Sequence, residues 1–135
     1  MAESIAIIFK DVSWDTLCID LTEVAENDVG GKKHWWYPSA NDDYTLSLYE
    51  YDSWLRECEP DEASDIKNQL GSEPSAILCI ELRRSAQNKS CDHAEFIVVT
   101  LLEMYGGIAD DAMEKRWSLQ QIKEGGFLNV YRCNL

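Results

Sequence analysis

Two histidines are few for an acid–base enzyme, and none of the five cysteines forms a Cys-x-x-Cys pair with another. A structural zinc site draws on four closely grouped Cys or His ligands, so no metal is expected. The acidic clusters lack the alternating Asp-x-Asp-x-Asp-Gly of a calcium loop. Gly30-Gly31-Lys32-Lys33 is too short for a phosphate loop and reads as a turn. Gly106-Gly107 follows a helical pattern, whereas a phosphate-binding glycine turn opens one. No cofactor is expected either. Cys91-Asp92-His93 holds the residue types of a nucleophilic site, but helical neighbours in sequence do not face each other. A Cys–His dyad is normally assembled from distant segments. Paired carboxylates such as Asp42-Asp43 and Asp110-Asp111 recur too often here to signal catalysis. The chain is not expected to be an enzyme.

Long apolar runs are also missing. No stretch approaches the roughly 20 residues that cross a bilayer, so no membrane partner is expected. Met1-Ala2-Glu3-Ser4 has no basic start, and the run Ile5–Phe9 is too short for a signal peptide core. Cys18 and Cys79 fall inside apparent strands, where a reduced thiol acts as a small hydrophobe. A reducing compartment and a cytoplasmic location are the expectation.

What the chain has in excess is negative charge. Twenty-five acids face twelve bases, for a net charge of −13. Such self-repulsion opposes compaction and helps solubility. It also repels nucleic acid and anionic membranes, and favours a basic protein as partner. Sixteen of the acids but only five of the bases fall in residues 1–70. The apolar fraction of 45% is ordinary for a globular domain, and 135 residues suffice for one core. With no repeat, low-complexity stretch or linker, residues 1–135 read as one domain.

Ile5–Phe9 reads as a buried strand, and the alternation of Leu17, Ile19 and Leu21 suggests a second strand over Trp14–Leu21, paired with it as a hairpin. Thr22–Lys33 is a polar connection, and the aromatic run His34–Pro38 resists assignment. Tyr44–Asp52 is β-rich. Pro60 opens a helix with Asp61, Glu62 and Asp65 in its N-terminal half, and Gly71 closes it. Ala76–Leu82 is a strand and Arg83–Ser90 a polar turn. Asp92 and Glu95 resemble a capping box before Ala94–Tyr105. The run Phe96–Leu102, taken alone, fits a buried strand, but that cap and Gly106-Gly107 favour a central core helix. Ile108–Asp111 is short and extended. Ser118-x-x-Gln121 caps a helix running to about Glu124, and Phe127–Arg132 reads as a last strand. The class is α+β: a mostly antiparallel sheet against a central core helix, with two shorter helices.

One segment combines rigid aromatic anchors with carboxylates, the pairing that binds and attracts a basic protein surface. Its candidate partner-binding residues are Trp35, Trp36, Tyr37, Asp42, Asp43, Tyr49, Glu50, Tyr51, Asp52, Trp54, Glu57, Glu59, Asp61 and Glu62. The competing reading makes the aromatics core and the acids a solvated face.

The stretch Leu101–Asp111, ending Tyr105-Gly106-Gly107-Ile108-Ala109-Asp110-Asp111, is followed by Trp117-Ser118-Leu119-Gln120-Gln121-Ile122. It resembles the C-terminal part of small bacterial immunity proteins from polymorphic toxin and contact-dependent growth inhibition systems. There a helix ends in a Gly-Gly turn, a short acidic strand follows, and then an aromatic/Ser/Leu helix start. The resemblance implies a cytoplasmic protein that binds the toxin domain of a matching effector, often a basic nuclease, and blocks it. A nucleic-acid mimic acting on a DNA-binding enzyme or regulator is the alternative, although a mimic should space its carboxylates in an extended ladder. An unrecognised enzyme and a plain structural subunit also stay open, as does the oligomeric state.

Overall fold

A computed structural model of the chain describes residues 3–28, 30, 32–113 and 115–132. Gly31 and Cys133, which figured in the expected glycine turn and thiol set, lie outside the described residues. The elements run β1 (Glu3–Phe9), α1 (Trp14–Val24), β2 (Glu26–Asn27), β3 (His34–Tyr37), β4 (Leu46–Glu50), α2 (Trp54–Glu57), α3 (Pro60–Leu70), β5 (Ala76–Leu82), α4 (Gln87–Tyr105), β6 (Gly107–Asp110), β7 (Arg116–Trp117) and α5 (Leu119–Glu124). Short 3-10 turns at Arg84–Ala86 and Asn129–Tyr131 complete the chain. The strands form one antiparallel sheet in the order β2-β3-β4-β5-β1-β6-β7. The expected α+β class with a long core helix is therefore the architecture, with α1 and α2 in addition.

Trp14–Leu21 is helix, not strand. Ser13 caps it by accepting the Thr16 amide at 3.3 Å. Leu17 and Leu21, four apart, both reach the core, while Ile19 between them is 63% exposed. A strand would have put all three on one face. Cys18 accordingly sits on a helix. The connection Thr22–Lys33 contains the end of α1 and the short β2, and the unassigned aromatic run forms β3.

Helix α4 begins at Gln87, so Arg83–Ser90 is mostly not a turn and Asp92 is no cap. Asp92 and Glu95 instead hold Arg132, at 2.6 and 3.8 Å. Phe127–Arg132 is not a strand: Phe127, Leu128 and Tyr131 fold onto the core around a 3-10 turn. The other boundaries agree with expectation. Pro60 starts α3 and a left-handed Gly71 ends it. The Ser118–Gln121 capping box on α5 has both of its bonds.

The sheet is covered unequally. On one face Ile7, Phe9, Leu48, Leu78 and Ile80 pack against α1, α4, α5 and the C-terminal turn as the main core. On the other, Ala6, Ile8, Ile77 and Ile108 are covered by Ile66 and Leu70 of α3. That second cluster does not extend over β3 and the adjoining part of β4.

Leu101 lies buried in the main core, and Leu101→Ala should cost about 2–5 kcal/mol in denaturant unfolding. Phe96→Ala, on the outside of the same helix, should stay within about 0.5 kcal/mol of the parent.

Candidate protein-binding face

Strand alternation decides which side chains reach the uncovered part of the sheet. In β3, Trp35 and Tyr37 turn to the main core, and His34 and Trp36 turn outward. The register pairs His34 with Tyr49 and Trp36 with Ser47, and Ser47 and Tyr49 in turn with Glu81 and Cys79 of β5. The outer face therefore carries Trp36–Ser47–Glu81 in one row and His34–Tyr49–Cys79 in the next.

These rings form a continuous ladder. Tyr44 meets Trp36 edge-on at 4.8 Å between centroids, Trp36 lies 4.6 Å from His34, His34 is 5.9 Å from Tyr49, and Tyr49 is 6.3 Å from Tyr51. Hydrogen bonds fix the set: His34 Nε2 to Ser47 Oγ at 2.8 Å, Tyr49 Oη to Glu81 Oε2 at 3.2 Å, and Tyr51 Oη to Glu57 Oε1 at 2.8 Å. Burial, aided by the bonds to Cys79 and Glu81, pushes the Tyr49 phenol well above its ordinary pKa. The bond to Glu57 raises that of Tyr51. Both stay neutral donors at physiological pH. Between Trp36, Tyr44, Tyr49 and Glu81 the surface is an open depression of about 470 Å³.

Acids flank the ladder at both ends. Asp42 and Asp43 precede Tyr44 in an exposed loop, and Glu57 follows Tyr51 across the turn into α2, with Glu59 exposed beyond it. Glu26 pairs with Trp36 at the sheet edge. Two cations reach the depression, and both have partners. Arg83 donates to the Tyr44 carbonyl at 3.0 Å and to that of Asp42, and lies over the Tyr44 ring at 4.2 Å. Arg84 faces Glu3 at 4.0 Å.

Of the fourteen candidate residues, Trp36, Tyr49, Tyr51, Glu57, Asp42 and Asp43 belong to this ladder or its ends. Trp35 does not: at 1% exposure it is a core residue, with its Nε1 donating to Thr22. Tyr37 faces the other side, against His93. Glu50 and Asp52 are structural as well. Glu50 accepts the Asp52 amide, and Asp52 accepts Trp14 Nε1 and the Ile77 amide, each at 2.8 Å. Trp54 packs under α3, and with Glu62 it borders a separate depression near Asp110 and Arg116. Glu59 and Asp61 are exposed at the start of α3. His34, Tyr44 and Ser47, neighbours of the candidates in sequence, were missed, as were Glu81 and Arg83, which only long-range strand pairing brings in.

Cys91, Asp92 and His93 point three ways. Cys91 is buried, Asp92 pairs with Arg132, and His93 Nδ1 meets Thr45 Oγ1 at 2.7 Å. Burial, with Lys89 nearby, lowers the His93 pKa. Among the described residues no group of three or more His, Cys, Asp or Glu could hold a metal ion, no disulfide forms, and no helix is long and apolar enough to cross a membrane.

The Gly-Gly-Ile-Ala-Asp-Asp stretch has structural work throughout. Gly107 has φ of 130°, and a Cβ there would lie 2.3 Å from the Ile8 carbonyl oxygen. Asp111 accepts the Met113 and Lys115 amides and Trp117 Nε1, which shapes the β6–β7 hairpin. No protein-family model, curated protein or solved structure matches the chain.

Burial raises the Asp110 pKa above the ordinary carboxylate range, against the lowering pull of the Ala112 amide and Arg116. A raised folded-state pKa makes protonation favour folding, a gain present at acid pH and lost as pH rises through the folded value. Asp110→Asn should therefore unfold at higher denaturant than the parent at pH 7, with the difference shrinking toward pH 4.

Proposed function

We propose that this chain is an immunity protein, a cytoplasmic binding module that neutralises a cognate toxin domain by stoichiometric contact. The observation that carries the reading is the uncovered part of the sheet, where a continuous, half-buried aromatic ladder lies between clusters of exposed carboxylates. Trp and Tyr held by neighbouring rings lose little side-chain entropy on binding, so their contact area converts efficiently into affinity. The surrounding acids, on a chain of net charge −13, attract a basic surface and accelerate encounter. A nuclease domain, whose cleft must hold phosphates, is the partner that suits such a face best. The likeness of the α4–β6–α5 region to immunity proteins points the same way. A nucleic-acid mimic would need a long, regularly spaced run of carboxylates, whereas these cluster at the ends of an aromatic strip.

Affinity capture from the source cells, at low and then moderate salt, tests the reading. One basic domain retained in equal amount, toxic when produced alone, is the expected result. Recovery of a DNA-binding enzyme or regulator would favour mimicry. Trp36→Ala combined with Asp43→Lys and Glu57→Lys should weaken the complex by more than about tenfold without moving the unfolding midpoint by more than a few degrees. Undiminished retention by that variant would place the interface elsewhere. Asp52 is left intact in this test because its two bonds hold Trp14 and β5.

A further inference from the structure

A second exposed surface lies on the other side of the sheet and has no part in the reading above. Helices α1 and α4 pack side by side over the main core, and their outer rims leave a shallow groove. Ile97 and Leu101 form its floor. Phe96, Thr100 and Met104 form one wall and Val24 stands on the opposite one. Phe96 is 56% exposed and Met104 52%, an unusual position for large apolar side chains on the central helix of a domain.

The dimensions select the kind of occupant. The groove encloses about 70 Å³, far below the roughly 300–1,000 Å³ that holds a small-molecule ligand. It accommodates a few apolar side chains. Phe96, Thr100 and Met104 are spaced four apart, so they run in a straight ridge about 12 Å long. That ridge matches two to three turns of a partner helix presenting anchors at i, i+3 or i+4 and i+7.

Charge selects among such helices. Asp20 and Glu23 of α1 line the groove, and among the described residues no Lys or Arg does. Among the described residues neither carboxylate forms an ion pair. A second copy of the chain would bring like-charged rims together on two bodies of net charge −13. An anionic membrane is repelled for the same reason.

We propose that the α1–α4 groove is a docking site for an amphipathic helix of another protein, with apolar anchors seated against Phe96, Met104 and Val24 and flanking Lys or Arg side chains paired with Asp20 and Glu23. The sheet and its helical layer separate this groove from the aromatic ladder. One small partner domain cannot cover both, so the two sites act independently.

The test uses the full chain and a fluorescein-labelled, 18-residue amphipathic Leu/Lys peptide, titrated by fluorescence anisotropy. Saturable one-to-one binding is expected. Phe96→Asp or Val24→Asp should weaken it by at least about tenfold. Asp20→Lys with Glu23→Lys should weaken it and flatten its salt dependence. Asp61→Lys with Asp65→Lys, an equal charge change on α3, should leave it within about twofold. Trp36→Ala with Glu57→Lys should also leave it unchanged, which separates this site from the proposed toxin-binding face. All the substituted positions are at least partly exposed, and a retained thermal midpoint checks that each variant is folded. Non-saturable binding, equal losses in the α3 variant, or no loss in Phe96→Asp would overturn the proposal. Sedimentation should show a monomer, and a dimer abolished by Phe96→Asp would overturn it in favour of a second copy.

Discussion

The rest of the molecule depends on how a seven-stranded sheet with two faces is covered by unequal layers. One face receives α1, α4, α5 and the C-terminal turn, and the other receives chiefly α3 with the short α2 beside it. The central strand β1 is apolar on both faces because both are covered there. Farther out, β3 and the neighbouring part of β4 keep apolar side chains only on the main-core side. Their other side cannot be made of Val and Leu without leaving a sticky sheet exposed to water. It carries instead Trp36 with His34, Ser47 and Tyr49, and the polar ends of those last three find partners on the sheet itself. The candidate site is thus a consequence of the coverage, since α3 spans only part of that face.

The charge follows the same division of labour. Acids near the core are tied down: Asp52 by Trp14 and β5, Asp111 by its hairpin. Exposed ones lie in the loop before Tyr44 and along α2 and the start of α3, and others are spread over α1, α4 and α5. Negative residues in the first turn of α3 interact favourably with its dipole, so some of the repulsion is offset locally. The remainder persists as a long-range field. A partner bearing positive charge would relieve that repulsion on binding, and its association would be both fast and sensitive to salt.

Much of the fold was legible because local signals agreed with tertiary context. Pro60 and Gly71 bracket α3, the apolar run of β5 matches its burial, and Ser118 with Gln121 caps α5. The errors have physical causes. Leu17, Ile19 and Leu21 alternate like a strand, but Leu17 and Leu21 are also one helical turn apart, and the Ser13 cap decides between the two. The first turn of α4 is polar, because its early residues serve side-chain bonds rather than the core, as when Ser90 reaches the Thr45 carbonyl and Gln87 that of Tyr131. For the candidate face, composition singled out the segment that supplies most of its rings and could not assign their faces. Trp35 and Trp36 are adjacent in sequence, and a strand must send one to the core and the other outward.

That parity also explains why Glu81 and Arg83 escaped notice. They enter through the β4–β5 register and the bonds from Arg83 to the loop before Tyr44, contacts that span about forty residues. Long-range pairing adds more than residues to the face. With His34 on Ser47, Tyr49 on Glu81 and Tyr51 on Glu57, each ring is held before any partner arrives. A surface organised in this way loses little conformational freedom on binding, so even a modest contact area can support tight association. The α1–α4 groove differs in kind, with flexible Met104 and long acidic side chains at its rim. It suits a partner that adapts to it, whereas the rigid ladder suits one whose shape is already complementary.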